Sequence, residues 1–138
     1  MGTYHRACDE ANTLLFSVGN PEVIDQACRR SAAGHLVENP LLIRRDSLDA
    51  LEPVLRVYEG CARALLGEVE GANVIKLHRY SGKVTYLVCP GLERDPDPSL
   101  ELRIKVTLPT LSIDVFDYSR HDDPPRLGVE PRLMSRRE

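Results

Sequence analysis

The chain has 138 residues, 42% of them apolar and 28% charged, and a formal net charge of −3. A chain of this length suits one domain that buries about two thirds of its unfolded surface, and its ordinary composition excludes a disordered or fibrous class. The slightly acidic balance excludes a molecule-wide attraction to nucleic acid and leaves room only for a local basic face.

Residues 1–19 hold one apolar patch, Leu14 to Val18, which reads as a short strand or as the last turn of a helix. Asn20-Pro21 then starts a helix: Asn caps exposed amides, and Pro at the first helical position loses no hydrogen bond. Val23, Ile24, Ala27 and Cys28 follow at helical spacing, Arg29 and Arg30 suit the C-terminal end of the dipole, and Gly34 is a suitable stop. Leu41-Leu42-Ile43 reads as a strand and Ser47 caps a turn. Pro53 opens the main helix, with an apolar stripe of Val54, Leu55, Tyr58, Cys61, Ala62, Leu65 and Leu66. Arg56, Glu59 and Arg63 are expected to project away from that stripe. Gly60 costs the helix about 1 kcal/mol relative to Ala, which suggests close approach of another backbone. Gly67 ends the helix.

An acidic turn, Glu68 to Asn73, leads into two hairpins. The first pairs Val74–Arg79 with Lys83–Cys89 through Tyr80-Ser81-Gly82; the second pairs Leu100–Leu108 with Leu111–Tyr118 through Pro109-Thr110. Ile75 and Leu77 alternate with Lys76 and His78, and Leu102, Ile104, Val106 and Leu108 with Arg103, Lys105 and Thr107. On the returning strand Leu111, Ile113 and Val115 alternate with Ser112, Asp114 and Phe116. This period fits a sheet with one face under helices and one in water. The expected fold is α+β: an antiparallel sheet of four to five strands, in two hairpins, packed under two to three helices. Residues 1–125 form the domain, and 126–138 read as a polar, flexible tail.

Four cysteines, Cys8, Cys28, Cys61 and Cys89, lie far apart with no C-x-x-C, so a zinc ribbon is not indicated. Cys28, Cys61 and Cys89 sit in apolar contexts as reduced, buried thiols. Met1 to Glu10 is polar, no signal peptide is expected, and no apolar run approaches the ~20 residues of a membrane span. A cytoplasmic protein with no membrane partner is expected.

Gly67 and Gly71 follow a helix and precede a strand, the wrong order for a dinucleotide or methyl-donor loop. P-loop and nucleophile-elbow motifs are missing as well. The expectation is therefore no cofactor and, on balance, no catalysis. Two constellations remain. The first is a basic strip of Lys76, His78, Arg79, Lys83, Arg103 and Lys105, which would sit on phosphates if the hairpin faces are contiguous, with Tyr80 beside it to stack on a base. The second is acidic: Glu93, Asp95 and Asp97, with Asp117, Asp122 and Asp123, which His78 and His121 could join in a metal-dependent hydrolase or nuclease. Asp95-Pro96-Asp97-Pro98 reads more readily as a stiff connector than as a metal loop.

The residues RVYEGCARALLGEVEGANVIKLHR, Arg56 to Arg79, resemble a domain family found in proteins described as DNA-phosphorothioation-associated methyltransferases, where such a segment stands beside a separate methyltransferase domain. The likeness extends upstream through NPEVIDQACRRSAAGHLVENPLLIRRDSLDAL and downstream through KVTYLVCPGLERDPDP and DYSRHDDPP. Its most specific blocks are Glu70-Gly71-Ala72-Asn73 and Lys76-Leu77-His78-Arg79. The chain departs from the family at Cys89-Pro90-Gly91-Leu92-Glu93, where the family reads Tyr-Pro-Asp-Phe-Asp, and at Asp97, where it carries His. It departs again at Leu127-Gly128-Val129, where the family reads Leu-His-Arg-Lys-Glu. Any family site that uses those histidines is lost here. The resemblance implies an accessory module of bacterial DNA modification or defence, without methyltransferase activity. Its expected partner is nucleic acid or a DNA-modification protein, and exposed strand edges suggest a homodimer.

Overall fold

The computed structural model describes residues 9–128 except 11, 14 and 96. Residues 15–18 are helical (α1), so the apolar patch resolves as a helix end for its described part; Leu14 and Cys8 lie outside the described residues. Asn20 caps α2, Pro21–Arg29, by accepting from the Glu22 amide at 3.0 Å. The helix closes at Arg29, five residues before Gly34. Gly34, at φ 77°, instead lets the chain pass the Leu42 carbonyl as the sheet begins.

The sheet runs β1 (His35–Leu36), β2 (Leu41–Arg44), β3 (Val74–Leu77), β4 (Lys83–Val88), β5 (Leu102–Thr107) and β6 (Ser112–Asp117). All six strands lie in sequence order, each antiparallel to the next. Six strands replace the expected four to five, because the two residues of β1 are too short to show a period. Ser47 falls in a short 3-10 segment, Arg45–Ala50, and α3 spans Pro53–Leu66 with Gly67 as its cap, as expected.

One core lies between the helices and one sheet face. Ile24, Ala27 and Cys28 of α2 and Val54, Leu55, Tyr58 and Ala62 of α3 pack on Leu41, Ile43, Ile75, Leu77, Val84, Tyr86 and Val106. These strand positions keep strict period 2, which is what places the polar positions opposite. The opposite face is not simply in water, contrary to expectation. A second cluster there joins Leu42, Val74 and Leu87 to Cys89, Leu92, Leu100 and Leu127. Leu127 is anchored by donating to the Pro98 carbonyl (2.8 Å), and Arg126 pairs with Ser99. Two residues assigned by sequence to the tail thus belong to the fold, while 129–138 lie outside the described residues.

Four residues differ from expectation. Glu59 is buried, its carboxylate accepting from the Tyr86 hydroxyl at 2.7 Å and pairing with Arg63 at 3.0 Å. Gly60 has no atom near the position of an added Cβ, so no backbone approaches it. On β6, Ile113 and Val115 point to the helix side yet stay exposed, because the helices do not reach this edge strand. No helix among the described residues is long and apolar enough to cross a membrane.

Candidate nucleic-acid interface

The register decides which polar residues share the face away from the helices. Residues directly opposite in a ladder point to the same side. His35, Leu42, Lys76, Thr85, Lys105 and Asp114 therefore form one row across all six strands. Arg44, Val74, Leu87, Arg103 and Phe116 form the row on one side of it. On the other side the His78 amide donates to the Lys83 carbonyl, and Lys83 pairs with Thr107 and Thr107 with Ser112. Rows are two residues apart along each strand, about 7 Å. The sequence condition is met: Lys76, His78, Lys83, Arg103 and Lys105 are contiguous.

Two side chains hold this patch in place from beneath and beside. The Tyr58 hydroxyl of α3 lies 2.8 Å from the His78 carbonyl and 2.9 Å from that of Lys83, donating between them at the hairpin end. Asn73 continues the ladder beyond Val74: its side chain donates to the Cys89 carbonyl (2.8 Å) and accepts from the Cys89 amide (2.9 Å). The acidic turn thus joins the main helix to the sheet.

None of Lys76, Lys83, Arg103 and Lys105 takes part in an ion pair among the described residues, whereas Arg29, Arg30, Arg44, Arg45, Arg63, Arg79 and Arg126 all do. The four are only partly exposed. Burial, with the nearby Arg103 charge, lowers the Lys76 pKa. Burial and the charges of Lys76, Lys83, Arg103 and Lys105 push His78 down to about 4, so its ring is neutral at pH 7. That neutral ring sits 3.2 Å from the buried Thr85 hydroxyl. Such a cluster of partly desolvated like charges is stabilised by an anion.

Arg79 does not join the strip. Its guanidinium reaches Asp25 Oδ1 at 2.7 Å and the carbonyls of Glu38 (3.0 Å) and Asn39 (2.6 Å). Tyr80 also leaves it, lining an apolar groove of about 470 Å³ with Ile24, Tyr58, Cys61 and Leu111. The aromatic that the strip does possess is Phe116, 38% exposed, with the Arg103 guanidinium 5.3 Å and the Lys105 ammonium 6.0 Å from its ring centre. Its even-numbered place beside Ser112 and Asp114 was the sequence signal for it.

The acidic constellation does not converge on His78. Asp95 and Asp97 lie beside Arg126, each 3.9 Å from its guanidinium, and the Asp97 amide donates to Asp95 Oδ1. Glu93 is paired with Arg44. These groups follow the C-terminal end of β4, whereas His78 lies at its N-terminal end, about 17–20 Å away for a six-residue strand. His121 packs edge-on against Tyr118, and Asp117 accepts from the Ser119 amide. Among the described residues no three His, Cys, Asp or Glu side chains are grouped to hold a metal ion.

Comparison of the chain with family models, with curated proteins and with solved structures finds no match.

Proposed function

We propose that the chain is a non-catalytic interaction module that holds the phosphate backbone of a nucleic acid on the sheet face formed by Lys76, Lys83, Arg103 and Lys105. The observation that carries this reading is the set of four contiguous, partly buried cations with no carboxylate partner among the described residues. Like charges gathered on one surface repel one another, and ordered phosphates relieve that repulsion while releasing condensed counterions. The overall charge of −3 confines the attraction to this face.

The resemblance of Arg56–Arg79 to the accessory segment of DNA-phosphorothioation-associated proteins supports a setting in bacterial DNA modification or defence. Its Lys76-Leu77-His78-Arg79 block supplies two residues of the face and one, Arg79, that ties the adjoining turn to α2.

Mobility shift at graded salt tests the reading. Wild type should bind, with a slope of log K against log salt of about −3 for four phosphate contacts to a single strand. Lys76→Glu with Lys105→Glu should abolish the shift. Equal binding by the double variant, or none by the wild type, overturns it.

A further inference from the structure

We propose that this face takes single-stranded rather than duplex nucleic acid, and that Phe116 is the platform on which one base stacks. The inference rests on the reading of the face as a phosphate-binding surface and adds the strandedness of the ligand and an unassigned contact residue.

Two observations carry it. First, α2 and α3 pack on the other side of the sheet, and the hairpin turn at Gly82 packs against Pro109. Beside the segment that covers Leu42, Val74 and Leu87, the binding face presents sheet, with no helix or free two-stranded ribbon among the described residues of the kind that enters a major groove. Second, Phe116 is an exposed aromatic ring on that face, directly opposite Arg103 in the ladder and flanked by Arg103 and Lys105. A ring beside two cations offers stacking and phosphate contact together, but only to a base already free of its own helix.

In this arrangement Lys76, Lys83 and Lys105 hold successive phosphates across β3 to β5, and the chain leaves over β6 with a base on Phe116. Asp114, at the outer end of the middle row, disfavours a second phosphate path beyond it.

The test is fluorescence anisotropy with a labelled 12-nucleotide DNA strand, the RNA strand of the same sequence, and the corresponding duplex, against wild type, Phe116→Ala, Phe116→Leu and Phe116→Tyr. Wild type should bind a single strand, DNA or RNA, at least 10-fold more tightly than the duplex. Phe116→Ala and Phe116→Leu should lose about 10-fold or more for the strand and little for the duplex, with Phe116→Tyr close to wild type. Phe116→Leu keeps an apolar side chain at the edge, so it carries the test if the alanine variant fails to fold. Equal affinity for strand and duplex, or leucine as good as phenylalanine, overturns this inference while leaving the phosphate-binding reading intact. Absence of binding to every probe overturns both.

Discussion

Arg79 Nη1 lies 2.7 Å from Asp25 Oδ1, joining positions 54 residues apart and tying α2 to the turn between β3 and β4. Both side chains are nearly buried, 13% and 11% exposed, while Arg29 completes the pair from its exposed side. Burial works to raise the Asp25 pKa, but the hydrogen bonds from Arg29 and Arg79 prevail and hold it below its ordinary value. A depressed carboxylate contributes stability above the unfolded value, about 4, and loses it as the pH falls through the folded value. Arg79→Ala should therefore lower the thermal midpoint more than Arg29→Ala at pH 7, with the difference shrinking below about pH 4. Calorimetry of the two variants from pH 7 to pH 3 measures this.

His78 provides a second pH signature, on the other face. Its folded pKa, about 4, lies below the ordinary 6.5, so the unfolded chain binds the extra proton between those values. Stability therefore rises with pH across that window and is lost on acidification. His78→Gln, which can still bond Thr85, should flatten this slope in denaturant titrations at pH 7, 6 and 5. Bound phosphates offset the surrounding cations, so the wild type should bind nucleic acid more tightly at pH 5.5 than at pH 7.5. The glutamine variant should lose much of that gain.

The Tyr86 hydroxyl and the Glu59 carboxylate form a hydrogen bond inside the helix-side core, 2.7 Å long. Tyr86→Phe leaves the carboxylate with Arg63 alone. The expected cost is about 1.5–3 kcal/mol, the range for a bond to a charged acceptor. Urea unfolding monitored by circular dichroism should show a lower midpoint at unchanged slope.

The two glycines at the ends of the packing scale should respond with opposite sign. Gly60 lies in α3 with open space around an added Cβ, so Gly60→Ala should stabilise by about 0.5–1 kcal/mol. Gly34 has φ 77° and its added Cβ would meet the Leu42 carbonyl at 2.6 Å. Gly34→Ala should destabilise by about 2–3 kcal/mol. Parallel thermal melts decide both.

Much of the fold was legible because its signals are local. The Asn20 cap, the prolines at positions 21 and 53, the Gly67 stop and the two hairpin turns each act on a few neighbouring residues, and each lies where those neighbours predict. Strand β1 was invisible because His35-Leu36 is too short to have a period. The early end of α2 reflects Arg30 leaving helical geometry, at φ −93° and ψ 2°, before Gly34 is reached.

By itself the sequence determined that β3, β4 and β5 alternate, and hence that Lys76 shares a face with His78 and Arg103 with Lys105. Only the tertiary structure decided that these pairs lie in one patch, since strand register depends on partners distant in the chain. It also decided that Arg79 is spent on Asp25, that Phe116 rather than Tyr80 borders the cations, and that His78 and the Asp95–Asp97 carboxylates lie at opposite ends of β4. The physical reason is the same in each case. A backbone pattern says which way a side chain points, but the charges and packed groups that meet it there come from other elements, and these set its burial, its protonation and its freedom to bind.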